Sequence, residues 1–297
     1  MADRDPHGIR PLVLGSRPSR TAEGATDYMF ASESIALRQL GFRDIKDLLP
    51  GECIFIGKGR APVSRQVQKQ LSYSPDLFEF LYFSRSDSSI DGISVHRSRQ
   101  NMGYKLADKI AAMLGEEGVK EIDVVIPIPE TSNTSAATAA ERLKKPYCQG
   151  FVKNRYVFRT FISPQGERQK SVRRKLSAIT SEFEGRCVLL VDDSLVRGTT
   201  SREIVSMARE AGARKVIFAS CAPPILYPHI YGIDLASPSE LVAHGRDRFG
   251  IARHIGAEEV LFQDLDDRKC SDGTPPPGTV SRITRSFILV PGEFYTS

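Results

Sequence analysis

The sequence contains no CxxC pair, no signal-like N-terminal segment and no apolar run approaching the ~18 residues of a membrane span. Its five cysteines, Cys53, Cys148, Cys187, Cys221 and Cys270, are odd in number and widely spaced. That spacing indicates neither a disulfide framework nor a zinc site, and no iron–sulfur cluster is expected. The five histidines are equally scattered. Because MADRDPHGIRP lacks an apolar core, the expected setting is the reducing cytoplasm, with no membrane partner. Charge singles out no partner either, since the formal net charge is only +5. With 297 residues, 40% hydrophobic and 26% charged, the chain has the composition of a soluble globular protein and room for one large domain or a domain and a half.

What is there is concentrated in Cys187 to Ser201, CVLLVDDSLVRGTTS. Val188 to Val191 is an apolar run too short for a helix, so it reads as a buried parallel strand. It ends in Asp192 and Asp193, followed by Ser194, then Arg197, Gly198, Thr199 and Thr200, then a helical pattern running into Gly212. A strand, a short loop and a helix N-terminus present free backbone N–H groups and the positive end of a helix dipole to an anion. Gly198 permits close approach and the two threonines add hydroxyls. Paired carboxylates beside an anion site suit a ligand with phosphate at one end and vicinal hydroxyls or a metal at the other. A ribose 5-phosphate has that layout.

VLLVDDSLVRGTTS resembles the ribose-phosphate loop of the type I phosphoribosyltransferases, in the version found in the amidophosphoribosyltransferase family, the glutamine-using enzymes that open purine biosynthesis. The resemblance extends along the chain. ADRDPHGIRPLVLG, FASESIAL and LLPGECIFI, within residues 1–58, look like the closing strands of that family's glutaminase domain. In the family this domain begins with a cysteine whose thiol attacks glutamine; residue 2 here is Ala, so glutamine hydrolysis is not expected of this chain. Cys53 lies inside a strand pattern and reads as core. Residues 59–75 are polar and basic and read as a linker, 76–267 as the phosphoribosyltransferase domain, and 268–297 as a turn-rich linker with a final strand. The fold expected is α/β, a doubly wound, mostly parallel sheet behind a β-rich remnant.

Within the second domain, Phe78 to Phe83 reads as a strand and Val95 to Leu114 as a helix with Met102, Leu106, Ile110 and Met113 on one face. Ile122 to Ile128 is a second apolar strand, running through Pro129, Glu130, Thr131 and Ser132 into an Ala-rich helix. Thr131 or Ser132 could cap that helix. By resemblance the loop faces pyrophosphate, with Glu130 and Ser132 contacting substrate and Thr131 a magnesium ion. Lys153 to Lys175 holds eight basic residues and one acid, and carries no RNA-recognition motif, so no nucleic-acid partner is expected. It resembles the family's mobile catalytic loop, which makes Lys153, Arg155, Arg173 and Lys175 its candidate catalytic cations. Phe158 stands where the family usually has glycine. Arg214 to Ala222 is a further strand, and Ser237 to Glu240 a capping box that should start a helix.

The chemistry implied is replacement of pyrophosphate on phosphoribosyl pyrophosphate by ammonia, giving 5-phosphoribosylamine. Asp192 and Asp193 would hold the ribose hydroxyls near the developing positive charge, sharing Mg²⁺ with Thr131. Ser194 and Arg197 to Thr200 would bind the 5-phosphate. The resemblance further implies purine nucleotides as feedback ligands and a homo-oligomer, or pairing with full-length subunits. The alternative is a non-catalytic protein that binds phosphoribosyl pyrophosphate, or a truncated paralogue or incomplete gene reading.

Overall fold

Two kinds of apolar pattern in this chain produce two kinds of sheet. In the computed structural model, residues 1–154, 172–228 and 238–264 are described, and they divide into one unit up to Ser98 and another from Arg99 onward.

The first unit is built from short antiparallel strands. These are β1 (Ala2–Asp3), β2 (Val13–Pro18), β3 (Thr26–Ala31), helix α1 (Ser34–Gln39), β4 (Arg43–Asp47), β5 (Glu52–Phe55), β6 (Val63–Gln66), β7 (Ser89–Ile90) and β8 (Ile93–Ser94). Strands order as β3-β2-β4 and β1-β5-β6, with β7-β8 a hairpin. Successive side chains on a strand point to opposite faces. Accordingly Val13 joins Leu37 and Phe42 in one core, while its neighbour Leu14 joins Leu48 and Ile54 in another. Arg4, buried, ties the unit together: it forks onto Asp91 at 2.6 and 2.8 Å and reaches the carbonyl of Leu48 at 2.7 Å. Residues 63–66, inside the stretch read as a linker, pair with β5 as an exposed edge.

The segment Phe78 to Phe83, expected as a strand, is instead a π-helical turn over Glu79–Phe83. A short, mostly apolar run buries equally well in either form, and here Asp76 Oδ1 accepts from the Phe78 N–H at 3.0 Å where the turn begins.

The second unit centres on four parallel strands, β9 (Val124–Pro127), β12 (Cys187–Asp192), β13 (Lys215–Ser220) and β14 (Glu259–Phe262), in the order β14-β13-β12-β9. They lie in chain order, so the reversal that marks a doubly wound sheet does not fall among the described strands. All six residues of β12 are buried, which is why its sequence is continuously apolar until the aspartate. Helices α2 (Val95–Glu121, interrupted at Gly115), α3 (Asn133–Leu143), α4 (Thr199–Glu210) and α5 (Arg248–Ile255) complete the unit, and a two-stranded ladder pairs β10 (Phe151–Lys153) with β11 (Leu176–Ala178). Of the stripe read on α2, Leu106 and Ile110 are buried, whereas Met113 is exposed.

The helix expected after the capping box is absent. Pro238–Glu240 is a single 3-10 turn, because the Glu240 carboxylate is directed to Arg197 at 3.1 Å rather than back to its own backbone. The following helix, α5, starts only at Arg248, where Asp247 Oδ1 accepts from the Gly250 N–H at 2.7 Å. Among the described residues no helix is long and apolar enough to cross a membrane.

Candidate functional site

The site forms where the parallel strands end. Asp192 closes β12 opposite Ser220 of β13, and its backbone carbonyl accepts from Cys221 at 3.0 Å. The Asp193 carbonyl accepts from Ala222 at 2.9 Å. Both acids are therefore fixed by the sheet and are about nine-tenths buried. The Asp193 N–H donates to Asp192 Oδ1 at 2.9 Å. Asp193 accepts from Ser194 Oγ at 2.8 Å on one oxygen and from the Thr131 hydroxyl on the other.

Burial dominates the electrostatics. It pushes the Asp192 carboxyl well above the usual carboxylate range, with the neighbouring Asp193 charge adding to the rise. Burial also raises Asp193, against the opposing effects of its Thr131 and Ser194 hydrogen bonds and the Arg99 charge. The same burial pushes the nearby Cys221 thiol up to about 12, so it is an inert neighbour. Two desolvated carboxylates side by side are unfavourable without a cation or a hydroxyl-rich ligand. The available donors are hard oxygens, which suit Mg²⁺. Among the described residues no group of three or more His, Cys, Asp or Glu side chains is arranged to hold a metal ion, and the two acids with the Thr131 hydroxyl are the donors that could contribute to one.

Leu195, fully buried, pins the loop that follows, and Val196 accepts from the Val242 N–H at 2.9 Å. Gly198 then turns the chain into α4 with φ of 76°. No side chain caps α4, leaving its first N–H groups for an anion alongside Thr199 and the exposed Thr200. A methyl on Gly198 would sit 2.7 Å from Val242 Cγ2, so both the backbone conformation and the space demand glycine.

The second loop runs from β9 into α3. The Thr131 hydroxyl goes to Asp193 and the Ser132 hydroxyl to the Ile128 carbonyl, so neither caps α3. Two uncapped helix N-termini thus belong to loops joined through the acid pair. Glu130 is exposed and faces Lys153 at 3.4 Å.

The remaining candidate cations separate. Lys153 and Lys175 are neighbours where the β10–β11 ladder opens, with the Asn154 N–H donating to the Lys175 carbonyl at 2.7 Å. Arg173 lies against the exposed side of α4, held by Glu203 at 2.9 Å and Glu210 at 2.7 Å. Arg197 pairs with Glu240 at 3.1 Å. Arg155 and Phe158 lie outside the described residues, as do Ser237, Cys270 and everything beyond Asp264. Sequence reasoning missed Glu240 and Arg99. Glu240 was assigned to a cap, and Arg99 carried no local signal because its neighbours, Ser135 of α3 and Asp193, are distant in sequence.

Residues 99–231 match the phosphoribosyl transferase domain family. An amidophosphoribosyltransferase of Escherichia coli is 56% identical over 268 residues, covering 90% of this chain and 52% of that protein. One from Schizosaccharomyces pombe is 51% identical over 276 residues, covering 89% and 51%. Among solved structures, the glutamine phosphoribosylpyrophosphate amidotransferase of Bacillus subtilis, complexed with ADP and GMP, superposes with a TM-score of 0.73 at 41% identity, over 91% of this chain and 57% of that one. The chain thus spans about half the length of the curated relatives it matches.

Proposed function

We propose, from its similarity to amidophosphoribosyltransferases over nine-tenths of its own length, that the chain binds phosphoribosyl pyrophosphate and transfers the phosphoribosyl group to ammonia, forming 5-phosphoribosylamine in purine biosynthesis. The observation that carries the reading is the pair of uncapped helix N-termini linked through one buried acid pair, by the Thr131 hydroxyl on Asp193. Such an arrangement fits a ligand with phosphate groups at both ends and a ribose between.

In this reading the α4 N-terminus, with Gly198, Thr199, Thr200 and Ser194, holds the 5-phosphate, and Glu130 to Ser132 face the pyrophosphate. Asp192 and Asp193 accept from the ribose hydroxyls and place negative charge beside C1 as the bond to pyrophosphate breaks. The two aspartates and Thr131 would hold Mg²⁺, which would neutralise charge on the leaving pyrophosphate. Lys153 reaches the site edge through Glu130, and Lys175 is assigned by the same relationship, while Arg173 reaches the site only after leaving its two glutamates. Arg197 acts through Glu240, stiffening the loop before Gly198.

Residues 1–58 are read as the closing part of the glutaminase domain that such relatives carry. Supporting this, the similarity to the Bacillus enzyme covers 91% of the chain, far beyond the transferase domain. Purine nucleotides as ligands and a homo-oligomeric assembly follow from the same relationship. Incubation with phosphoribosyl pyrophosphate, Mg²⁺ and ammonia is the test. Pyrophosphate release that requires all three is expected, and tight binding without release defeats the reading.

A further inference from the structure

Helix α2 carries a glycine at position 103, in mid-helix, where glycine weakens a helix relative to alanine. Its backbone is not in the left-handed region, so conformation does not require glycine there. Space does. A Cβ at Gly103 would lie 2.0 Å from Thr138 Oγ1 and 2.2 Å from the Ser135 carbonyl oxygen of α3. The second atom is backbone and cannot swing aside. Thr138 is equally fixed, its hydroxyl lying 3.1 Å from the Gln100 carbonyl and 3.2 Å from that of Thr134. Ser135 Oγ donates to the Arg99 carbonyl at 2.9 Å. The two helices are therefore in backbone contact, bolted by two side chains.

From this contact the path to the site is short. Ser135 lies in the first turn of α3, where the Ala136 N–H donates to the Ser132 carbonyl at 2.8 Å. Ser132 is tied to the end of β9 through Ile128, and Thr131 beside it donates to Asp193. One turn before Gly103, the buried Arg99 adds positive charge near Asp193. The first turns of α2 thus bear on both the Thr131 loop and the acid it binds.

We propose that Gly103 is a positioning residue: by letting α2 close onto Ser135 and Thr138, it sets where Glu130, Thr131 and Ser132 meet the pyrophosphate end of the substrate. This rests on the functional reading above and specifies one of its ends. Because the 5-phosphate loop at Gly198 belongs to another helix, displacement of α3 should affect the two ends of the ligand unequally.

The test compares wild type, Gly103→Ala and Ser135→Ala. For each, KM is measured for phosphoribosyl pyrophosphate and ammonia, with the inhibition constant of ribose 5-phosphate, which lacks the pyrophosphate. Gly103→Ala should raise KM for phosphoribosyl pyrophosphate about tenfold or more, as an ångström-scale misplacement does, with ammonia KM and ribose 5-phosphate inhibition unchanged. Ser135→Ala adds no volume, removes one bolt and should show the same pattern more weakly, which keeps the test informative should Gly103→Ala not fold. Parallel loss of both ligands in either folded variant marks a general structural effect and overturns the proposal. Unchanged KM in both variants also overturns it, whereas a wild-type chain that binds no phosphoribosyl pyrophosphate overturns this and the functional reading together.

Discussion

Replacing Gly198 with alanine is expected to damage the 5-phosphate end of the site selectively. At φ of 76° a residue with a Cβ is strained by about 1–2 kcal/mol. The new methyl would also lie 2.7 Å from Val242 Cγ2, and overpacking against a buried side chain costs about 1–3 kcal/mol. Together the two effects come to roughly 2–5 kcal/mol, enough to move the loop. If binding must drive the loop back at a cost of about 2 kcal/mol, affinity falls roughly thirtyfold. The assay is calorimetric titration with ribose 5-phosphate, accompanied by thermal unfolding. Adding Val242→Ala should recover part of the stability by removing the overlap, leaving the backbone strain in place. Wild-type stability and wild-type ribose 5-phosphate affinity in Gly198→Ala would refute the reasoning, since neither strain nor an anion site could then reside there.

Asp192→Asn should abolish pyrophosphate release yet raise the melting temperature at neutral pH. Burial raises the folded-state pKa of Asp192, so the native protein binds the extra proton and gains stability as pH falls through that value. The asparagine variant should lose that part of the pH dependence in unfolding scans. Glu240→Gln removes the charge facing Arg197 at 3.1 Å and should cost about 1–3 kcal/mol in denaturant unfolding, with weaker ribose 5-phosphate binding. Arg173→Ala should leave the melting temperature little changed, because both members of its Glu210 pair are exposed. The Arg173 hydrogen bonds, with one from Ser206, hold the Glu210 carboxyl down at about 2, so their contribution is present above the ordinary glutamate pKa and is lost as pH falls from there toward about 2. An NMR titration of Glu210 should return to the ordinary range in Arg173→Ala, and unchanged turnover in that variant removes Arg173 from the catalytic set.

The sequence made legible what is written consecutively. Strand, acid pair, loop and helix from Cys187 to Glu210 are one unbroken stretch, so the apolar run, the carboxylates and the glycine could be placed relative to each other without tertiary knowledge. The same holds for β9, the Thr131 loop and α3. Contacts that cross the chain were hidden. Capping chemistry at Glu240 was overridden by an arginine more than forty positions earlier. Arg173 was assigned as a catalytic cation by resemblance to the family's loop, and the two carboxylates that α4 supplies to it are brought there only by the fold. The Phe78 to Phe83 run failed for a different reason, since short buried segments carry no period from which helix and strand can be told apart. Gly103 passed unnoticed because a single glycine in a helical pattern shows nothing of what it touches.

In the proposed function, one phosphoribosyl pyrophosphate spans both loops across the Asp192–Asp193 pair. Calorimetric competition in Mg²⁺ checks this, with phosphoribosyl pyrophosphate titrated into the chain already saturated with ribose 5-phosphate or with pyrophosphate. Each half-ligand should weaken binding of the whole, and Gly198→Ala should abolish competition by ribose 5-phosphate before competition by pyrophosphate. Phosphoribosyl pyrophosphate binding unaffected by either half-ligand would contradict the claim.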